Sequence, residues 1–183
     1  MLRQAGLTFE AIPAFIDEAA VKATAKAAQW DPHTLALTLA EQKALPISQK
    51  FPNALVIGAD QLLLCGNDWF DKPQDTAAAA NHLTRLSGRT HQLVTAVCVY
   101  QNGVMAWQHI ATPTLTMRPL SQPFIANYLA AEGDAVLTSV GAYRLEGLGS
   151  QLFDHIEGDF FTILGLPLLA LLGYLRQAGA LAG

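Results

Sequence analysis

The sequence predicts an α/β fold, a mixed, twisted central sheet flanked by helices. Three observations carry that prediction. Helical segments with recognisable caps alternate with short apolar runs of strand type, and two of those runs are followed by tight-turn dipeptides. Composition is the third: of 183 residues, 51% are hydrophobic and 14% charged, enough for one sizeable core or two closely joined lobes. No Pro/Gly/Ser-rich linker divides the chain, so one domain over residues 1–183 is expected.

In chain order, Asp31 and Pro32 supply an N-cap and first helical residue, and Leu35, Ala36, Leu39 and Ala40 follow at helical spacing. Pro46 is expected to stop this helix. Ala54–Ile57 and Leu62–Cys65 read as two short strands, with Gly66-Asn67 turning the second into Asp68–Phe70. Asp75 caps a helix that passes through Ala77–Ala80 to Leu83 and Leu86 and ends at Gly88. Leu93–Tyr100 is apolar on both faces and reads as a central strand, which Asn102-Gly103 turns into Val104–Ile110. Ser121 opens a further helix through Phe124, Ile125, Tyr128 and Leu129 to Gly133. The last helix runs from about Pro167 to the Gln177 region.

The formal net charge is −4, and the eleven Lys and Arg are spread along the chain rather than clustered. No nucleic-acid partner is expected, although a few cations could still line a small-anion pocket. Cys65 and Cys98 lie in separate apolar runs, which fits free buried thiols in a reducing cytoplasm better than a disulfide or zinc site. There is no signal-peptide pattern. The longest apolar stretch, Ile163–Leu175, is roughly 13 residues against the ~20 of a bilayer span, so no membrane partner is expected.

Several segments can carry chemistry. In Val56-Ile57-Gly58-Ala59-Asp60-Gln61 an apolar strand arrives at a carboxylate, which is costly unless paired or metal-bound. Asp60 is therefore either a site residue or a solvated turn residue. Lys72, in Phe70-Asp71-Lys72-Pro73, depends on the hairpin register. A two-residue loop sets it opposite Gln61, on the face away from Asp60; a bulged three-residue loop, or a strand break of the same effect, brings it to the face of Asp60. The latter is expected here, although a surface lysine is the commoner reading of a lone Lys-Pro. Lys43, near a helix C-terminus, is explained by the helix dipole alone. The Gly-rich segment Gly141–Gly149 allows close backbone approach to a ligand but is not a Walker-type loop. Asp154, His155, Glu157 and Asp159 could suggest a metal, but a solvated strand end followed by a turn is the commoner case.

Taken in order, Gly58-Ala59-Asp60, Lys72-Pro73, Leu86-Ser87-Gly88-Arg89-Thr90-His91, Gly141-Ala142-Tyr143 with Glu146-Gly147-Leu148-Gly149, and Ile156-Glu157-Gly158-Asp159 running into Gly165-Leu166-Pro167 resemble the Maf family over nearly the whole chain. The resemblance implies a two-lobed fold of the Maf/inosine-triphosphatase type with a cleft between the lobes. It implies hydrolysis of a nucleoside triphosphate to a monophosphate and pyrophosphate with a divalent cation, Mg²⁺ or Mn²⁺. By match, Asp60 resembles the proton acceptor, Lys43 and Lys72 the phosphate-binding lysines, and Glu18 the acidic metal-site position beside Asp60. Gln61 and Glu146 resemble the subgroup that acts on 7-methyl-GTP: a carboxylate accepts from the N1–H and N2 edge of guanine, where Gln would suit a pyrimidine imide. Tyr143 and Arg144 depart from that subgroup's pattern. The family also opens with a strand and a Ser-x-Ser-x-x-Arg loop ahead of the segment that here reads Leu2–Leu7. The chain therefore reads as starting inside the following helix, a late start or a truncated form, with weak turnover expected. A homodimer is the family default. The competing reading is a nucleotide-binding regulator linked to septum formation; a Rossmann-type dehydrogenase is set aside for want of a G-x-G-x-x-G after a strand.

Overall fold

The structure, a computed structural model, describes residues 1–182. Among the described residues, six α-helices, α1 (Glu18–Ala27), α2 (Pro32–Lys50), α3 (Thr76–Leu86), α4 (Gln122–Glu132), α5 (Phe160–Ile163) and α6 (Leu168–Gln177), are interspersed with six strands. The strands are β1 (Val56–Cys65), β2 (Asp68–Phe70), β3 (Thr90–Gln101), β4 (Val104–Ala111), β5 (Thr114–Met117) and β6 (Phe153–Glu157). They order as β2-β1-β3-β5-β6 with β4 also on β3. The β1–β2, β3–β4, β3–β5 and β5–β6 pairings are antiparallel. The α/β class expected from the sequence is the one observed.

Local chemistry accounts for most boundaries. The Asp31 carboxylate accepts the His33 and Thr34 N–H groups, Asp75 accepts from Ala78, and Ser121 accepts from Phe124, which caps α2, α3 and α4. Gly88 and Gly133 follow α3 and α4 with φ of 69° and 59°. β3 is buried along nearly its whole length, as a central strand should be. Asn102 and Gly103 take φ of 53° and 72° and set Gln101 opposite Val104, the I′-type geometry that Asn-Gly favours. β4 and β5 follow one another along β3 and are split at Thr112-Pro113, because Pro113 has no N–H for the ladder; its carbonyl still accepts from Leu93 at 3.0 Å. At the start of the chain, Leu7 N–H bonds Leu2 O and Gly6 N–H bonds Arg3 O with Gly6 at φ 84°, the paired closure of a helix C-terminus.

Three expectations are corrected. α2 does not stop at Pro46 but runs on to Lys50. Proline removes one ladder bond, but Ala44 and Ser48 are fully buried on either side of it, and Ser48 Oγ accepts the Gly103 N–H at 3.0 Å. Ala54–Ile57 and Leu62–Cys65 are not two strands; Val56, Ile57 and Leu62–Cys65 belong to one ten-residue strand, β1, that continues through Gly58 and Asp60, and Ala54 and Leu55 precede it. The β1–β2 loop is the two-residue one, with Cys65 opposite Asp68 and Gly66 at φ 63°. The bulged register is not formed, because Gly at the first central position already meets the demand of a II′ turn. Pairing ends at Leu63–Phe70, so exposed Lys72 lies past the ladder and its facing is not set by strand alternation.

The chain folds as two compact units. One comprises Met1–Asp60, Thr95–Ala111 and Gly165–Gly183, the other Gln61–Val94 and Thr112–Leu164. The first is built on α2, whose Leu35, Ala36, Leu39, Ala40 and Ala44 are fully buried. The second is centred on Leu63, Leu83, Leu86, Leu115, Ile125 and Leu152.

Candidate active site

In the first unit, three charged side chains from three elements meet. Asp60 comes from β1, Lys43 from α2 and Glu18 from the first residue of α1. Lys43 Nζ donates to Asp60 Oδ1 at 2.5 Å and lies 2.9 Å from Glu18 Oε1. The Asp60 side chain is 8% exposed, those of Lys43 and Glu18 28% and 42%. Lys43 is not at the end of its helix, since seven more residues follow it in α2. Asp60, rather than the helix dipole, explains its place.

The pair depends on small residues. A Cβ on Gly58 would stand 2.2 Å from the Ala40 carbonyl oxygen and 2.9 Å from Ala44 Cβ. Gly58, Ala40 and Ala44 thus let α2 lie directly against β1, and Lys43, one residue before Ala44, reaches Asp60. Glu18 is set by α1, whose N-cap Asp17 accepts the Ala20 N–H at 2.9 Å. An acid in the first turn also complements the helix dipole.

Burial pushes Asp60 above the usual carboxylate range. The Lys43 hydrogen bond and charge offset this only in part; Glu18 adds to the rise and Lys22 opposes it. Burial also works against the charge on Lys43, but Asp60 and then Glu18 outweigh it and hold the ammonium above its ordinary value. Glu18 and Asp60 share the Lys43 ammonium, and the charge of Lys22 acts on the same group. Lys22 escaped sequence reasoning, although its i, i+4 spacing from Glu18 on α1 was a signal that it joins the same face.

Among the described residues no three His, Cys, Asp or Glu side chains form a metal cage. Two carboxylates converging on one cation are nevertheless the protein donors that Mg²⁺ or Mn²⁺ uses when phosphate oxygens and water complete its shell. Glu18 and Asp60 carry carboxylate oxygens of the kind such a cation would take, and in this structure both face the Lys43 ammonium. His155 and Glu157 lie on exposed β6 and join no such group.

The second unit holds Gln61, Lys72 and Glu146. Gln61 Nε2 donates to the carbonyls of Thr162 at 2.9 Å and Ile163 at 3.4 Å, tying β1 to α5. Asp159 caps α5, accepting the Thr162 N–H at 3.0 Å and the Thr162 hydroxyl. Glu146 is exposed in the Gly-rich segment, with Oε1 accepting from Arg144 Nε at 3.1 Å. The glycines of that segment make room for protein rather than for a ligand. A Cβ on Gly147 would meet Glu132 Oε1 at 2.5 Å, and one on Gly149 the Arg144 carbonyl at 2.3 Å. Glu132 and Arg144, which organise this loop, were not found by sequence reasoning, because their partners lie 12 and 16 residues from Glu132.

With this geometry in view, comparison with known proteins is decisive for the family. The family model described as Maf-like protein matches residues 1–178. A 7-methyl-GTP pyrophosphatase of Rhizobium etli is 52% identical over 183 residues, covering 100% of this chain and 92% of that protein. A nucleoside triphosphate pyrophosphatase of Paramagnetospirillum magneticum is 52% identical over 181 residues, covering 99% and 93%. A 7-methyl-GTP pyrophosphatase of Brucella abortus is 46% identical over 183 residues, covering 100% and 92%. The chain belongs to the Maf family.

Proposed function

We propose that this chain is a nucleoside triphosphate pyrophosphatase that cleaves 7-methyl-GTP to 7-methyl-GMP and pyrophosphate. The observation that carries the reading is the buried Asp60 carboxylate, drawn up by burial and held by Lys43 beside Glu18, in a chain of this family. Asp60 accepts a proton from the water that attacks the α-phosphorus; the water oxygen bonds to phosphorus, and the bond to the β-phosphate oxygen breaks. Lys43 and Lys72 stabilise charge on the phosphate oxygens as that bond breaks. Glu18 and Asp60 would hold the divalent cation, which when bound lowers the pKa of water and neutralises phosphate charge. Gln61 and Glu146 read the base, with the Glu146 carboxylate accepting from the N1–H and N2 edge of guanine.

Support for the substrate comes from the 7-methyl-GTP pyrophosphatases among the relatives and from the Gln61 and Glu146 pair. A pyrophosphate-release assay over 7-methyl-GTP, GTP, dTTP and UTP, with Mg²⁺ or Mn²⁺ and with a chelator, tests it. Release from 7-methyl-GTP ahead of the others, abolished by chelation, is expected; release from dTTP and UTP ahead of it would sink the substrate assignment. The regulator reading predicts nucleotide binding with no pyrophosphate released at all.

A homodimer belongs to the same proposal, and light scattering should give twice 19.6 kDa. No helix among the described residues is long and apolar enough to cross a membrane. The free, buried thiols of Cys65 and Cys98 suit the reducing cytoplasm.

A further inference from the structure

The reaction proposed above leaves one buried carboxylate unused. Glu132 ends α4 with its side chain 6% exposed. Both of its oxygens are engaged: Oε1 accepts the Leu148 N–H at 2.7 Å, and Oε2 accepts from Arg144 Nη1 at 3.0 Å. Arg144 Nε in turn donates to Glu146 at 3.1 Å. Arg144 is therefore suspended between a buried carboxylate and the exposed one to which base reading is assigned.

The loop is anchored elsewhere as well. Tyr128 Oη accepts the Arg144 N–H at 3.2 Å, and Tyr143 Oη pairs with His91 Nε2 at 3.0 Å inside the core. The backbone on the N-terminal side of Glu146 is fixed by these tyrosines, and that on its C-terminal side by Glu132 through Leu148. Glu146 is held from both sides while its carboxylate faces solvent.

Charge and geometry then bear on which base is accepted. Two carboxylates and one guanidinium leave one negative charge over, and Glu146 is its exposed carrier. A purine methylated at N7 carries a positive charge on its imidazole ring and has lost the N7 acceptor. An unrestrained arginine favours the opposite base, because its fork pairs with the O6 and N7 acceptors of unmodified guanine. With Nε and Nη1 both committed to carboxylates, Arg144 does not present that fork.

We propose that Glu132 and Arg144 are positioning residues that orient Glu146 and keep its charge available for a cationic, N7-methylated purine. This rests on Glu146 being the base-reading carboxylate. Without the charge of Glu132, Arg144 pairs with Glu146 alone and neutralises it.

The test is equilibrium binding of 7-methyl-GMP and GMP to the full chain, read as the ratio of the two Kd values. The parent chain should prefer 7-methyl-GMP, and Glu146→Gln should erase the preference. Glu132→Gln should cut the ratio on the order of tenfold, about 1.4 kcal/mol. Arg144→Lys, which keeps the charge but cannot span both carboxylates, should cut it less. A merely structural role would weaken both ligands alike and leave the ratio where it was. If Glu132→Gln does not fold, Arg144→Lys decides alone. An unchanged ratio in the folded Glu132 or Arg144 variant, with the preference lost in Glu146→Gln, overturns the inference. No preference in the parent, or none lost in Glu146→Gln, overturns the base-reading assignment instead.

Discussion

The charged form of Asp60 is disfavoured relative to an exposed carboxylate, because burial raises its pKa more than Lys43 lowers it. The folded chain therefore binds a proton there more readily than the unfolded chain does. The cost to stability is complete above the folded pKa and is relieved as pH falls through it. Asp60→Asn should thus melt higher than the parent at neutral pH, by about 2–4 °C for each 1 kcal/mol, with the advantage vanishing in acid. Glu18 is left to pair with Lys43 in that variant. Pyrophosphate release should fall about 10²–10⁴-fold, the scale of a lost general base; a lower melting temperature at neutral pH would show the pair to be a net stabiliser. The pH profile follows the same signs. If Asp60 is the proton acceptor as proposed, the acidic limb of kcat/KM should lie above 3.8, and Lys43, raised above 10.5, should add no limb in the neutral range. In Lys43→Met the main offset to burial is gone, so the limb of the residual activity should move to higher pH; a shift toward acid would contradict the account. Of these residues, Asp60 was legible as a carboxylate in an apolar strand, and Lys43 only through family resemblance. Lys22 and Glu132 are ordinary surface types in sequence, given meaning by partners on other elements.

At the scale of elements, the approach of α2 to β1 is the feature most easily broken. The Gly58→Val side chain would enter space held by the Ala40 carbonyl and Ala44. The helix must shift, opening the Lys43–Asp60 contact, at about 1–3 kcal/mol of stability. Activity should fall further than the loss of folded chain explains, and Gly58→Ala should lie between; unchanged turnover in a destabilised Gly58→Val would separate the packing from the site. α1 offers the opposite change. Just past its C-cap Ala28, Gln29 takes φ 52° in the position glycine usually fills, and Trp30 N–H bonds Ala25 O at 2.8 Å. Gln29→Gly should raise stability by up to about 1 kcal/mol by relieving that left-handed conformation, seen as a higher denaturant midpoint at unchanged slope. α3, α4, α6 and the β3–β4 hairpin were readable because their caps and turn residues act within a few positions. α1 was not read because its apolar face is built from alanines and one valine, and only Ala25 is buried on it. Pro46 misled for the converse reason: packing on both sides of it, invisible to a local rule, carries α2 through.

For the whole molecule, nucleotide binding and bond cleavage are assigned to different residues and can be measured apart. A ligand that binds only the folded chain raises its stability by RT ln(1 + [L]/Kd), about 2.7 kcal/mol at a hundred times Kd. For a chain of this size that is a rise of about 5–10 °C in melting temperature. 7-methyl-GMP is the suitable ligand, since as the proposed product it is not consumed. The expected result is this rise in both the parent and Asp60→Asn, because Gln61 and Glu146 are untouched, together with pyrophosphate release from 7-methyl-GTP by the parent alone. A rise in both with no release by the parent would favour the binding regulator over the enzyme. Release undiminished in Asp60→Asn would remove Asp60 as proton acceptor, and no rise in either chain would remove Gln61 and Glu146 as readers of the base.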